Sequence, residues 1–215
     1  MTGWEVTNVD SLDAIPIGDG VIWRPVRRQF GIRAFGTNAY TSAGVGQHIV
    51  EEHDELGAGA GGHEELYVVV RGRATFTVGG ETTDAPAGTL VFVRDPALRR
   101  SAVAEEADTV VLAVGGEPGA AYEVSAWEFS FGAMPALSAG KYDEAIEHLE
   151  AGLTEHPGNA SILYNLACAE SLSGRSAEAI EHLCAALPGN PAYQERAKVD
   201  PDFDPIRHEP GFPLY

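Results

Sequence analysis

With 215 residues the chain has room for one medium domain and one smaller one, and its 44% hydrophobic and 21% charged residues are the balance of an ordinary globular protein. The formal net charge of −18 is not ordinary: an acidic surface repels phosphate backbones and anionic lipid, which excludes nucleic acid and membrane surfaces as partners. The excess is shared evenly by residues 1–125 and 126–215, as expected of charge that serves solubility.

The first residues, Met1-Thr-Gly-Trp-Glu5, hold no basic segment followed by an apolar run, so no signal peptide is expected. No stretch approaches the roughly eighteen consecutive apolar residues of a transmembrane helix. Cys168 and Cys184 both fall in the second half without CxxC spacing, and read as small buried residues in a reducing compartment rather than as a zinc site or a disulfide framework. A cytoplasmic protein is the expectation. The excess of Arg over Lys, with abundant Ala and Gly, points to a GC-rich bacterial genome.

Between residues 20 and 115 short β-rich runs alternate with glycine and proline. The clearest are Leu66–Val70, Ala74–Val78, Thr89–Val93 and Thr109–Val114, with a tight link at Arg71-Gly-Arg73 and a hairpin turn at Gly79-Gly80. Many short strands with turn residues between them predict a sandwich or barrel. Trp23 and Tyr40 either line its pocket or fill its core. The glycine-rich Gly57–Gly62 loop reads as a lid or a plain linker.

Glu65-Leu-Tyr-Val-Val-Val-Arg-Gly72 has the Glu-x6-Gly spacing of the first cupin motif, and Pro86-Ala-Gly88 with the strand after it resembles the start of the second. Over residues 20–115 the chain thus resembles the cupin superfamily. The resemblance implies a double-stranded β-helix or jelly-roll barrel, and a homodimer, since cupin barrels often pair through their sheets. It implies no single reaction, because cupins include isomerases, dioxygenases, storage proteins and ligand-sensing domains.

A metal-binding cupin usually presents His-x-His, then Glu, then a later His, a set that suits Fe, Mn, Ni, Cu or Zn. Here Gly57–Gly62, upstream of Glu65, are all glycine or alanine, so the usual His-x-His spacing is absent, and the late histidine's place falls at or beside Arg99. A guanidinium there opposes a dication and favours a carboxylate or other anion. Substitute ligands are at hand: His63-x-Glu65 puts an imidazole and a carboxylate on one strand face, with Tyr67 following, and His53-Asp-Glu55 lies before the glycine loop. His48 is a weaker candidate. The candidate ligand-binding residues are therefore Arg99, His63, Glu65 and Tyr67, and the candidate metal ligands His53, Glu55, His63 and Glu65. Against both stands a plain structural reading: a Glu65–Arg99 ion pair in a barrel that has lost its metal, with Glu51–Glu55 a solvated charge run.

The second half repeats itself. Glu144-Ala-Ile-Glu-His-Leu149 recurs letter for letter as Glu178-Ala-Ile-Glu-His-Leu183, 34 residues on, and the same offset links Gly140 to Gly174, Leu153 to Leu187 and Pro157 to Pro191. Ala145, Ile146, Leu149 and Leu153 keep helical spacing, as do their repeats. Trp127, Phe129, Phe131 and Met134 give the opening helix an aromatic face, a short helix is predicted around Tyr193–Lys198, and the tail from Asp200 caps the array. His148 and His182 are two copies of one repeat position rather than a metal pair. Period, small residues, glycine and proline in register resemble the tetratricopeptide (TPR) family. That resemblance implies a protein-interaction or dimerisation element. Its carboxylate-clamp mode is not expected, because Asn165 has only Lys141 and Lys198 to work with.

The expected architecture is mainly β, then all-α: a cupin-like barrel with its N-terminal extension over 1–125, two TPR units at about 126–159 and 160–193, and a cap to 215. The leading functional expectation is a degenerate cupin that binds a small anionic ligand, with the TPR half engaging a protein partner. The alternative is a metal-dependent oxygenase or isomerase acting on a small organic acid, so the residues leave open whether the protein is an enzyme.

Overall fold

The computed structural model describes residues 6–18, 20–56 and 60–213. Met1–Glu5 and half of the Gly57–Gly62 loop, read above as a lid or linker, lie outside the described residues. The chain divides into two compact units, Met1–Val124 and Ser125–Tyr215.

The first unit holds β1 (Ile15–Gly18), β2 (Val21–Arg24), a short helix α1 (Val26–Phe30), β3 (Gly36–Ser42), β4 (His48–His53), β5 (Glu64–Arg71), β6 (Arg73–Val78), β7 (Glu81–Pro86), β8 (Leu90–Val93), β9 (Arg100–Ala104) and β10 (Val110–Gly116). They make two antiparallel sheets, ordered β1-β2-β3-β10-β5-β8 and β4-β9-β6-β7. From β3 onward the chain passes from one sheet to the other at every connection except the β6–β7 hairpin. That alternation is the eight-stranded jelly roll expected of a cupin. The hairpin turns at Gly79 and Gly80, whose φ values of +58° and +88° suit the two-residue turn that matches strand twist.

Strand alternation decides what lies inside. Along β5, Tyr67 and Val69 are buried while Val70 is exposed, and Tyr67 and Val69 join Ile49, Phe76, Val93 and Val111 in the barrel core. Trp23 is fully buried and its indole N–H donates to Asn38 Oδ1 at 2.7 Å, so it fills core, and Tyr40 packs against the barrel core around Tyr67 and Val111. His48 is exposed, five residues from His53 at the other end of β4.

The second unit is helical: α2 (Ala126–Ser138), α3 (Tyr142–Glu155), α4 (Ala160–Ser173), α5 (Ser176–Ala186) and α6 (Ala192–Val199). The 34-residue repeat appears as two successive helix pairs. Gly140 and Gly174, at φ +71° and +85°, occupy equivalent left-handed positions after α2 and α4. Asn159 caps α4, accepting the N–H groups of Ser161 and Ile162 at 3.0 and 3.2 Å. The repeated alanines, Ala145 and Ala179, are fully buried. After α6, Phe203, Ile206 and Phe212 close over Tyr164 and Leu183, and Arg207 donates to the carbonyls of Ala197, Lys198 and Asp200.

Cys168 is buried, but Cys184 is exposed, against expectation: it follows Leu183, which takes the inward position of α5. His148 lies 5.7 Å from the Phe129 ring and His182 Nδ1 lies 2.8 Å from Glu170 Oε2, so the two copies face different surroundings.

Candidate functional site

Glu65 and Tyr67 leave β5 on the same face, two residues apart, and both turn into the barrel. His53 ends β4 and Arg100 opens β9. The two are directly opposite in the strand register, so their side chains leave the four-stranded sheet on one side. The sheets thus bring three polar groups to one carboxylate oxygen, Glu65 Oε2. Tyr67 donates its hydroxyl there at 2.5 Å, Arg100 Nε lies at 3.2 Å, and His53 Nε2 at 3.6 Å. Gly115, opposite Glu65 on β10, leaves room for this carboxylate: a Cβ there would stand 3.1 Å from Glu65 Cγ.

Glu55 follows β4 and is held by its surroundings. Its N–H donates to the Pro96 carbonyl, its own carbonyl accepts from Gly62, and Oε2 accepts from the Gly61 N–H at 3.1 Å. His53 Nε2 lies 3.6 Å from Glu55 Oε1, and His63 Nδ1 lies 3.5 Å from Glu55 Oε2 with its ring 5.9 Å from that of Tyr122.

The electrostatics follow from this crowding. Burial by itself raises the Glu65 carboxyl, but His53, Tyr67 and the Arg100 charge outweigh it and hold it below its ordinary value of 4.5. Burial lowers His53, yet the Glu65 carboxylate and the Glu51 carbonyl, 2.7 Å from Nδ1, carry it above 6.5. Burial and the adjacent Glu65 charge push the Tyr67 phenol far up, so it remains a donor.

Two features bear on ligands. First, one ligand atom each from His53, Glu55 and Glu65 lie within 4.8 Å of one another. Donors around one transition metal stand up to about 4 Å apart, so these three need only a small closing movement. An imidazole and two carboxylates suit Fe, Mn or Zn, and His63 lies beside Glu55, outside the converging three. Second, the Arg100 side chain is fully buried. Its Nη1 donates to the Pro96 carbonyl at 3.3 Å, but Nε–H points off the line to Glu65, and neither Nε nor Nη2 makes a hydrogen bond among the described residues. A buried guanidinium with an unbonded N–H is costly, and the Glu65 charge 3.2 Å from Nε offsets part of that cost.

The sequence expectation placed a guanidinium at or beside Arg99, and the correction is one residue. Arg99 is 60% exposed and pairs with Glu52 at 3.1 Å, outside the barrel. Arg100 faces in because β9 alternates Arg100, Ala102 and Ala104 inward. Tyr67 contacts Glu65 directly. His63 reaches Glu55 but is not one of the three converging residues. Sequence reasoning missed Arg100 and Gly115. The period-2 run from Arg100 to Ala104 was the signal for the first, and nothing marked the second.

Residues 136–198 match a tetratricopeptide repeat family model. No curated protein matches the chain. Among solved structures, KdgF from Halomonas sp. is similar at 18% identity and a TM-score of 0.41, covering 49% of this chain and 86% of that one. An RmlC-like cupin from Shewanella frigidimarina has 16% identity and a TM-score of 0.40, over 53% of this chain and 91% of its own. A predicted oxalate decarboxylase from Thermotoga maritima has 15% identity and a TM-score of 0.42, over 53% and 99%. The strand order is that of a jelly-roll barrel, and the helices after it carry the tetratricopeptide repeat match over residues 136–198.

Proposed function

We propose that the barrel is a metal-dependent small-molecule site in which His53, Glu55 and Glu65 hold one divalent transition metal, with His63 as the fourth donor. The convergence of those three side chains within 4.8 Å carries the reading. A metal bound there supplies Lewis acidity, the chemistry by which a small organic acid is polarised for isomerisation or oxygenation. The chain's own groups do the rest. Tyr67 stays protonated and fixes Glu65, Gly61 fixes Glu55, and the buried Arg100 supplies a positive charge for an organic anion. In this reading the TPR helices engage a protein partner or a second copy of the chain, as such repeats generally do.

One observation favours a second reading. Arg100 Nε lies 3.2 Å from Glu65 Oε2, and with His53 protonated the site carries two cations and two carboxylates, balanced without a metal. The barrel would then bind its small anion without a metal.

Elemental analysis of protein purified without a metal-affinity column separates the two. Near-stoichiometric Fe, Mn, Ni, Cu or Zn is expected, falling at least about tenfold in His53→Ala and Glu65→Gln and unchanged in Arg99→Ala, given the usual cost of losing a ligand or its support. Protein that remains empty after exposure to these ions would overturn the metal site in favour of the metal-free barrel.

A further inference from the structure

We propose that Tyr122 latches the segment leading out of the barrel, residues 117–124, onto the candidate site, so that filling the site loosens that segment; the inference rests on the metal reading above. The segment follows β10, which ends at Gly116, and runs to Ser125, the residue before α2. A stretch outside the sheet ladders is held in place by its side-chain contacts. Tyr122 supplies one. Its ring lies 5.9 Å from that of His63 and fits against Gly36, the first residue of β3, where a Cβ would stand 2.9 Å from both Cε2 and Oη. The missing side chain of Gly36 is thus the notch in which Tyr122 sits. His63 is seated in the same way, since a Cβ at Gly61 would collide with its Nε2.

His63 ties the latch to the site. Its Nδ1 lies 3.5 Å from Glu55 Oε2, while Glu55 Oε1 lies 3.6 Å from His53 Nε2. One carboxylate therefore faces the converging donors with one oxygen and the His63–Tyr122 pair with the other. His53, Glu55 and Glu65 must close slightly to share an ion, and His63 stands outside them. Closure either draws Glu55 away from His63 or brings His63 inward as the fourth donor, and both movements disturb the seat of Tyr122. The element with two states is the Tyr122 ring, seated against Gly36 or lifted from it. Linkage is reciprocal, so lifting the ring tightens metal binding by the factor with which metal favours lifting. Tyr122 is in this sense a positioning residue, acting on the site through His63.

The test is limited proteolysis of the full-length, metal-free protein by a glutamate-specific protease, with and without Zn²⁺, following cleavage between Glu123 and Val124. Zn²⁺ is expected to speed that cleavage at least about fivefold in the wild-type protein, within the ordinary range of coupling between sites. In Tyr122→Ala, and in Gly36→Ala, whose added methyl fills the notch from the β3 side, cleavage is already fast and Zn²⁺ adds nothing. Calorimetric titration should show Zn²⁺ binding more tightly to both variants than to wild type, by about the same factor, whereas mere damage to the barrel would weaken it. Zn²⁺ that binds the wild-type protein without changing its cleavage overturns the latch while leaving the metal site standing, and needs no variant to fold. Cleavage of Tyr122→Ala no faster than that of wild type overturns the seat against Gly36. Failure of Zn²⁺ to bind the wild-type protein removes the metal reading itself, and the latch with it.

Discussion

Glu65 receives Tyr67, Arg100 and His53 around one oxygen, and that arrangement makes the barrel sensitive to pH. The Glu65 carboxyl is held below 4.5, so its stabilising contribution is present above pH 4.5 and lost as the pH falls through the folded value. His53 is held above 6.5, so its contribution is complete below pH 6.5 and lost as the pH rises through the folded value. The contact is worth most where both conditions hold, from about pH 4.5 to 6.5. In metal-free protein with chelator present, the melting temperature of His53→Gln should fall furthest below wild type in that window, and the gap should narrow toward pH 8. A gap independent of pH would mean that His53 acts by packing alone.

At the level of elements, the two units differ in how their sequence encodes them. The helices were legible because a 34-residue repeat fixes small, apolar and turn residues together, so each position is read twice. The α4 cap shows how local such coding is. Asn159→Ala removes the acceptor for two backbone N–H groups and should cost about 1 kcal/mol in chemical denaturation, while a Ser in its place should cost much less. The strands were legible as alternating runs, and Glu65 with Tyr67 came with them, both on a clear period-2 segment. The Arg99-Arg100 pair was harder to read, because two identical residues at a strand's start leave the register open by one unless the alternation of Arg100, Ala102 and Ala104 is followed, and one step exchanges inside for outside. The meeting of His53 with Arg100 is a cross-strand contact between β4 and β9, 47 residues apart in sequence as the neighbouring Glu52–Arg99 pair also is, and it depends on jelly-roll pairing that no local pattern states.

On the scale of the whole molecule, the −18 charge sets a background against which every buried cation counts. Acidic self-repulsion opposes the compact state, and its reach is about 10 Å at 0.1 M salt. The exposed ion pairs Arg71–Asp10, Arg73–Asp84 and Arg175–Asp143 weaken as salt rises, but exposed pairs contribute little each. With 32 acidic residues against 14 basic ones, relief of repulsion outweighs that loss. The melting temperature should therefore rise between low salt and about 0.2 M NaCl, where the screening length has fallen below 10 Å. A fall would show that ion pairs, not acidic excess, dominate the surface. Under the metal reading proposed above, the same background favours entry, since a dication approaching the barrel is drawn by the net charge. Its association rate with the wild-type protein should accordingly drop as salt is raised, and a salt-independent rate in stopped-flow mixing would place the limiting step in the opening of the site rather than in its field.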